Sequence, residues 1–166
     1  MRSALGAVLV TAMLGLSTPL MAGPLEDAKS AYEHDDYATA LRLYRQLAEG
    51  GDGDAQCELG RMYLSGNGVP QDYIQSTAWF RKAAEQGNVK GLLFLGGSYY
   101  EGRGVAKDYV QAHKWFSLAA SRPTSTATDE NVRDVAADRR DELTAHMTVA
   151  QIAEAQKLAR EWKPTK

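Results

Sequence analysis

The sequence predicts an all-α protein, an α/α superhelical solenoid of helix-turn-helix repeats closed by a C-terminal helical hairpin. Three observations carry this. One pattern of residues recurs at a spacing of 36 residues across 54–125. The apolar positions inside it follow the helical period. Glycine and aspartate punctuate the segments where helices must stop and start. In the recurrence, Leu59, Gly60, Tyr63, Gly66, Gly68, Val69, Asp72, Tyr73, Gln75, Trp79, Phe80, Ala83 and Ala84 reappear as Leu95, Gly96, Tyr99, Gly102, Gly104, Val105, Asp108, Tyr109, Gln111, Trp115, Phe116, Ala119 and Ala120. A period between about 20 and 50 residues marks a stack of supersecondary units, each too small to bury its own apolar face.

The first element lies in residues 24–34, where Leu25, Ala28, Ala31 and Tyr32 share one helical face. Asp35-Asp36 interrupts it, and 37–49 resumes the period with Ala40, Leu41, Tyr44, Leu47 and Ala48. Sliding by 36 residues places Asp36-Tyr37 on Asp72-Tyr73 and Leu43-Tyr44 on Trp79-Phe80. Residues 24–53 are thus a degenerate copy with a shortened connection, ended by Gly50-Gly51. Glycine takes the left-handed helix cap without steric cost.

In the two regular copies, 54–89 and 90–125, Gly66 and Gly102 end the first helix, and Gly68 and Gly104 allow a tight reversal. Val69 and Val105 supply an apolar plug. Asp52 and Asn88 stand at the N-caps of the first helices. Asp72 and Asp108 precede Gln75 and Gln111 by three residues, which predicts a near capping box: a carboxylate accepting from orphan amides and a glutamine reaching back.

After Ala120 the pattern changes, because Pro123 stands where Gly87 stood and 121–128 is a polar, turn-rich connection. A helix over about 129–143 carries Val132, Val135, Ala136 and Leu143 on one face. Thr148 and Gln151 form a capping box, with Met147 and Ile152 spaced as a hydrophobic staple. The last helix sets Ile152, Ala155, Ala159 and Trp162 on one side before Pro164. Residues 127–166 are expected to cap the repeat unit 23–126, since a solenoid's end needs a polar outer face for solubility.

Composition narrows the function. The net charge of −2 on 166 residues offers no basic footprint for nucleic acid. Met1-Arg2, the apolar run Ala4–Leu16, a proline and small residues up to Ala22 read as a secretory signal over 1–22, with the mature chain expected to begin at Gly23. The run falls short of the roughly 20 apolar residues a membrane span needs. Export without stable membrane insertion is therefore expected. Cys57 stands alone and makes no internal disulfide, so the fold rests on apolar packing.

Chemistry-bearing residues are sparse. His34, His113 and His146 are scattered without a ligand pattern, and Glu33-His34-Asp35-Asp36 reads better as a cap and turn than as a metal cluster. Gly66-Asn67-Gly68 and Gly102-Arg103-Gly104 follow helices and recur with the repeat, which makes them turns and not phosphate loops. Trp79 and Trp115 sit three and four residues from alanines and read as core. No cofactor and no metal are expected, and no nucleophile–base pair stands out.

The combination L-G-x-x-Y-x-x-G-x-G-V-x-x-D-Y followed by W-F-x-x-A-A resembles the Sel-like repeat family, a relative of the tetratricopeptide repeat. Ser76, where a small alanine is usual, and Pro123 depart from its pattern. The resemblance implies a right-handed superhelix whose first helices line a concave surface that holds other proteins. It further implies an exported adaptor of the cell envelope. On this resemblance the groove positions are Asp54, Cys57, Arg61 and Leu64, then Lys90, Leu93, Tyr100 and Glu101. Cys57 aligns with Leu93 and has two readings, a small apolar filler or a groove thiol open to oxidation. Two rival functions stand beside the adaptor. Cysteine-rich relatives look like β-lactam-hydrolysing proteins, although their paired cysteines are missing here, and a cell-wall glycan binder is the other.

Overall fold

The computed structural model describes residues 23–123 and 126–165. The expected signal segment 1–22 lies outside them. The described residues form eight helices and no strand: α1 (Pro24–Glu33), α2 (Tyr37–Glu49), α3 (Gly53–Ser65), α4 (Tyr73–Glu85), α5 (Val89–Glu101), α6 (Tyr109–Ser121), α7 (Ala127–Thr144) and α8 (Val149–Glu161). None of them is long and apolar enough to cross a membrane.

The helix ends follow the predicted punctuation. Asp36, Asp52, Asp72, Asn88 and Asp108 each accept a backbone amide of the first turn of α2 to α6. Gly66 (φ 80°) and Gly102 (φ 74°) end α3 and α5 in the left-handed conformation. Among the described helices the capping box closes in both directions only at α8, where Thr148 Oγ1 accepts from Gln151 N–H and Gln151 Oε1 accepts from Thr148 N–H at 2.8 Å. At α4 and α6 the aspartate performs its half, but Gln75 and Gln111 do not reach back. In the degenerate first copy, Asp35 takes the left-handed turn itself (φ 60°), which lets the chain reverse without the glycine-rich loop.

Packing alternates helix by helix: α1 on α2, α2 on α3, and so on to α7, with α8 laid on α6. The first helices also meet their own kind, α3 on α5 and α5 on α7, whereas α4 and α6 have at most marginal contact. Closer packing in the α3–α5–α7 layer than in the α4–α6 layer curves the stack. The concave side is therefore the one built by α3, α5 and α7.

The core runs along the stack. Ala28, Tyr44, Leu59 and Met62 fill its first half. Phe80, Leu92, Leu95 and Trp115 fill its second, and Ala136 of α7 joins them. Phe116 packs with Leu143 of α7 and with Met147. The tail is thus continuous with the third repeat's core. The hairpin is splayed, however: α7 and α8 both lie on α6 and scarcely touch each other. Past α8 the chain turns back. Trp162 meets Trp115 edge to face at 6.0 Å, and Thr165 N–H donates to the Glu85 carbonyl at 2.8 Å. Arg122 fills the place that Pro123 leaves irregular, donating from Nε to the Gly87 carbonyl at 3.2 Å.

Candidate functional site

Of the eight groove positions, three form a seam between repeats. Asn88, at the N-cap of α5, accepts from Gly91 N–H at 3.0 Å and from the Cys57 thiol at 3.2 Å, and it donates to Asp54 Oδ1 at 3.0 Å. Lys90 Nζ stands 3.8 Å from the same Asp54 oxygen. Contrary to the groove expectation, Cys57 is 0% exposed and does not line the groove. Burial, and after it the nearby Asp54 and Glu58 carboxylates, push the thiol pKa well above its ordinary value, so it is a buried filler with one hydrogen bond, not a reactive group. The reason is positional. On α3 it faces the α5 N-terminus, on the side where the next repeat stacks.

The remaining positions lie further along the concave layer. Arg61 is exposed and held by Glu58 one turn away at 2.8 Å, and Leu64 packs into the second half of the core. Leu93, Tyr100 and Glu101 converge on a pocket of about 240 Å³ between α5 and α7. Tyr100 does double duty there, stacking on Tyr109 with centroids 5.8 Å apart. Glu101 is tied to Arg103 at 2.7 Å.

The same pocket is completed by residues that the sequence comparison did not single out: Phe94 and Gly97 of α5, and Val135 and Arg139 of α7. Phe94 is anchored by stacking on Phe80 at 4.9 Å. Val135 is 45% exposed although large and apolar. Gly97 is the informative one. A side chain there would meet nothing within 4 Å, whereas one on the preceding Gly96 would strike the Phe116 ring at 2.6 Å. Packing requires Gly96. It does not require Gly97, whose bareness deepens the pocket.

Phe94 and Gly97 occupy the positions of Glu58 and Arg61 in the previous repeat, so the repeat pattern marks them only as variable. A signal was present nonetheless. Two adjacent glycines inside a helix cost roughly 1 kcal/mol each against alanine, and only one of them recurs. Val135 and Arg139 lie in the expected capping segment 127–166, and α7 also supplies a wall of this pocket.

The model of the Sel1 repeat matches residues 29–52, 53–88 and 89–123, more than half of the chain, with the second and third copies starting 36 residues apart. The chain belongs to the Sel1 repeat family. Among solved structures, it is similar to c5321, a protective antigen present in uropathogenic Escherichia coli strains and displaying an SLR fold. That match has 30% identity and a TM-score of 0.75, and covers 83% of this chain and 28% of that one. It is also similar to a Sel1 repeat protein from Oxalobacter formigenes, at 26% identity and a TM-score of 0.64, covering 82% of this chain and 55% of the other. The chain thus spans about a quarter to a half of these longer solenoids. No curated protein matches it. Sel1 repeats are commonly protein-interaction scaffolds. In Sel1 terms, Gly60 and Gly96 are the contact points at which the first helix of a repeat receives the phenylalanine of the second, and Gly97 lies outside that requirement.

Proposed function

We propose that this Sel1 repeat protein is an exported scaffold that holds a partner protein on its concave face, centred on the pocket between α5 and α7. The observation that carries the reading is the pocket itself. It is apolar at its floor, charged at its rim by Glu101 and Arg139, and opened by a glycine that packing does not need. A buried apolar anchor within a polar rim is the usual anatomy of a protein-binding patch. Export to the cell envelope is supported by the signal-like residues 1–22. The Sel1 family is typically a non-enzymatic scaffold, which favours this reading over hydrolysis.

Positional crosslinking in the producing cell tests it. A photo-reactive amino acid at Glu101 or Arg139, on the pocket rim, should trap one discrete protein. The same group at Ile74 or Glu154, both exposed and outside the pocket, should not. Equal trapping from all four positions would refute the groove.

A further inference from the structure

A second opening lies away from the concave face. Because α7 and α8 rest on α6 without closing on each other, a cleft of about 650 Å³ remains between them. That is the size of a small-molecule site, not of a protein groove. We propose that this cleft binds a small organic molecule carrying one oxyanion beside an apolar body, with Arg160 as the principal cation and His113 as the hydrogen-bonding group on the floor.

The floor is built from α6. His113 is only 3% exposed and lines the cleft. Its Nδ1 lies 3.3 Å from the Ser117 hydroxyl, and Nε2 has no hydrogen-bond partner among the described residues. The ring lines the cleft and keeps one nitrogen without a protein partner, a hydrogen-bonding position open to a ligand atom. Burial, and after it Arg140, holds the imidazole below its ordinary pKa, while Asp141 acts in the opposite sense. The ring is thus a neutral hydrogen-bonding group and not the source of positive charge.

The walls supply that charge. Arg140 of α7 is tied to Asp141 at 2.6 Å, but Arg160 of α8 makes no ion pair among the described residues. A guanidinium free to present a planar pair of donors is the side chain best matched to a carboxylate. Leu118, Ile152 and Ala159 provide the apolar side. The previous repeat shows how the floor was cleared. Where α4 carries the exposed Arg81, Lys82 and Glu85, α6 carries Ser117, Leu118 and Ser121. The long charged side chains that coat the outer layer elsewhere are absent where the cleft runs.

The test uses benzoate as probe, with benzyl alcohol, acetate and inorganic phosphate as controls, and reads the ring resonances of the three histidines by NMR. His113 is assigned by their loss in His113→Gln. Benzoate should shift the His113 resonances alone, saturating in roughly the millimolar range. His34 and His146 should stay still. Each control should bind at least about tenfold more weakly, as should benzoate to Arg160→Gln, a variant whose melting temperature stays that of the parent. Benzyl alcohol matching benzoate would remove the anion from the proposal, and acetate or phosphate matching it would remove the apolar body. Undiminished binding to Arg160→Gln, or all three histidines drifting together without saturation, would overturn it outright. None of these outcomes touches the concave pocket, which lies on the other side of α7.

Discussion

Gly96 and Phe116 are in direct contact: a methyl group on Gly96 would stand 2.6 Å from the Phe116 ring, and Gly60 stands in the same relation to Phe80. This contact sets how closely the two helices of a repeat approach, and it explains why one glycine recurs in the middle of a helix at a cost in propensity. It also gives neighbouring residues opposite characters. Gly96→Ala is predicted to destabilise by about 1–3 kcal/mol through overpacking. Gly97→Ala, with open space around it, should instead stabilise by about 0.5–1 kcal/mol. Denaturant melts of the two variants check the pair of signs.

Ser76 is 1% exposed, and its hydroxyl has no hydrogen-bond partner. The equivalent residues of the other two repeats are Ala40 and Ala112, both fully buried. An unsatisfied buried hydroxyl costs about 1–3 kcal/mol. Ser76→Ala should therefore raise the unfolding free energy by about 1 kcal/mol or more, a stabilising substitution inside a core. An unchanged or lower denaturation midpoint would mean that the hydroxyl finds a partner in solution.

Most of the periodic part of the fold was legible, although Gln75 and Gln111 do not complete the capping boxes their spacing predicts. Helix caps, glycine turns and the Leu–Gly–Tyr and Trp–Phe faces each follow from local chemistry repeated at one spacing, so every copy corroborates the others. Legibility failed where residues depart from the repeat. Cys57 is buried because of what stacks on α3, which no local pattern records. Phe94 and Gly97 differ from Glu58 and Arg61 and so look like noise. The splay of α7 and α8 depends on Trp162 reaching Trp115 and on Thr165 reaching Glu85, contacts between residues far apart in the chain. Periodicity predicts elements; it is silent on side chains that only non-local packing brings together.

Trp115 tests whether the tail is part of the fold or an appendage. It is 7% exposed and meets Trp162 across the α6–α8 junction. Trp115→Ala should cost about 3–5 kcal/mol, as large aromatic truncations in cores do. Removing residues 127–166 should expose Trp115 and Phe116 and bring aggregation or lost helicity. A truncated chain that stays monomeric with an unchanged melting temperature would show instead that the repeats need no cap.

His113 gives stability a pH dependence with a definite sign. Its folded-state pKa is lowered by burial, with Arg140 adding to the effect. The unfolded chain therefore takes up the proton first as pH falls through the ordinary imidazole value of 6.5. The stability His113 contributes is complete above that value and declines below it. In His113→Gln this part of the decline should vanish, which urea melts at pH 7.5 and at about 5.5 would reveal. A parent and variant with the same loss between the two conditions would place the origin in other groups.

The central claim is that the concave pocket holds the partner, and filling the pocket tests it most directly. Gly97→Leu places an apolar side chain where the structure has empty space between α5 and α7. The measurement is paired: a thermal melt of the variant, and recovery of the protein trapped by the rim crosslinker at Arg139 in the parent. The expected result is a melting temperature equal to or above that of the parent, together with loss of the trapped partner. Undiminished trapping by a normally folded Gly97→Leu protein would contradict it.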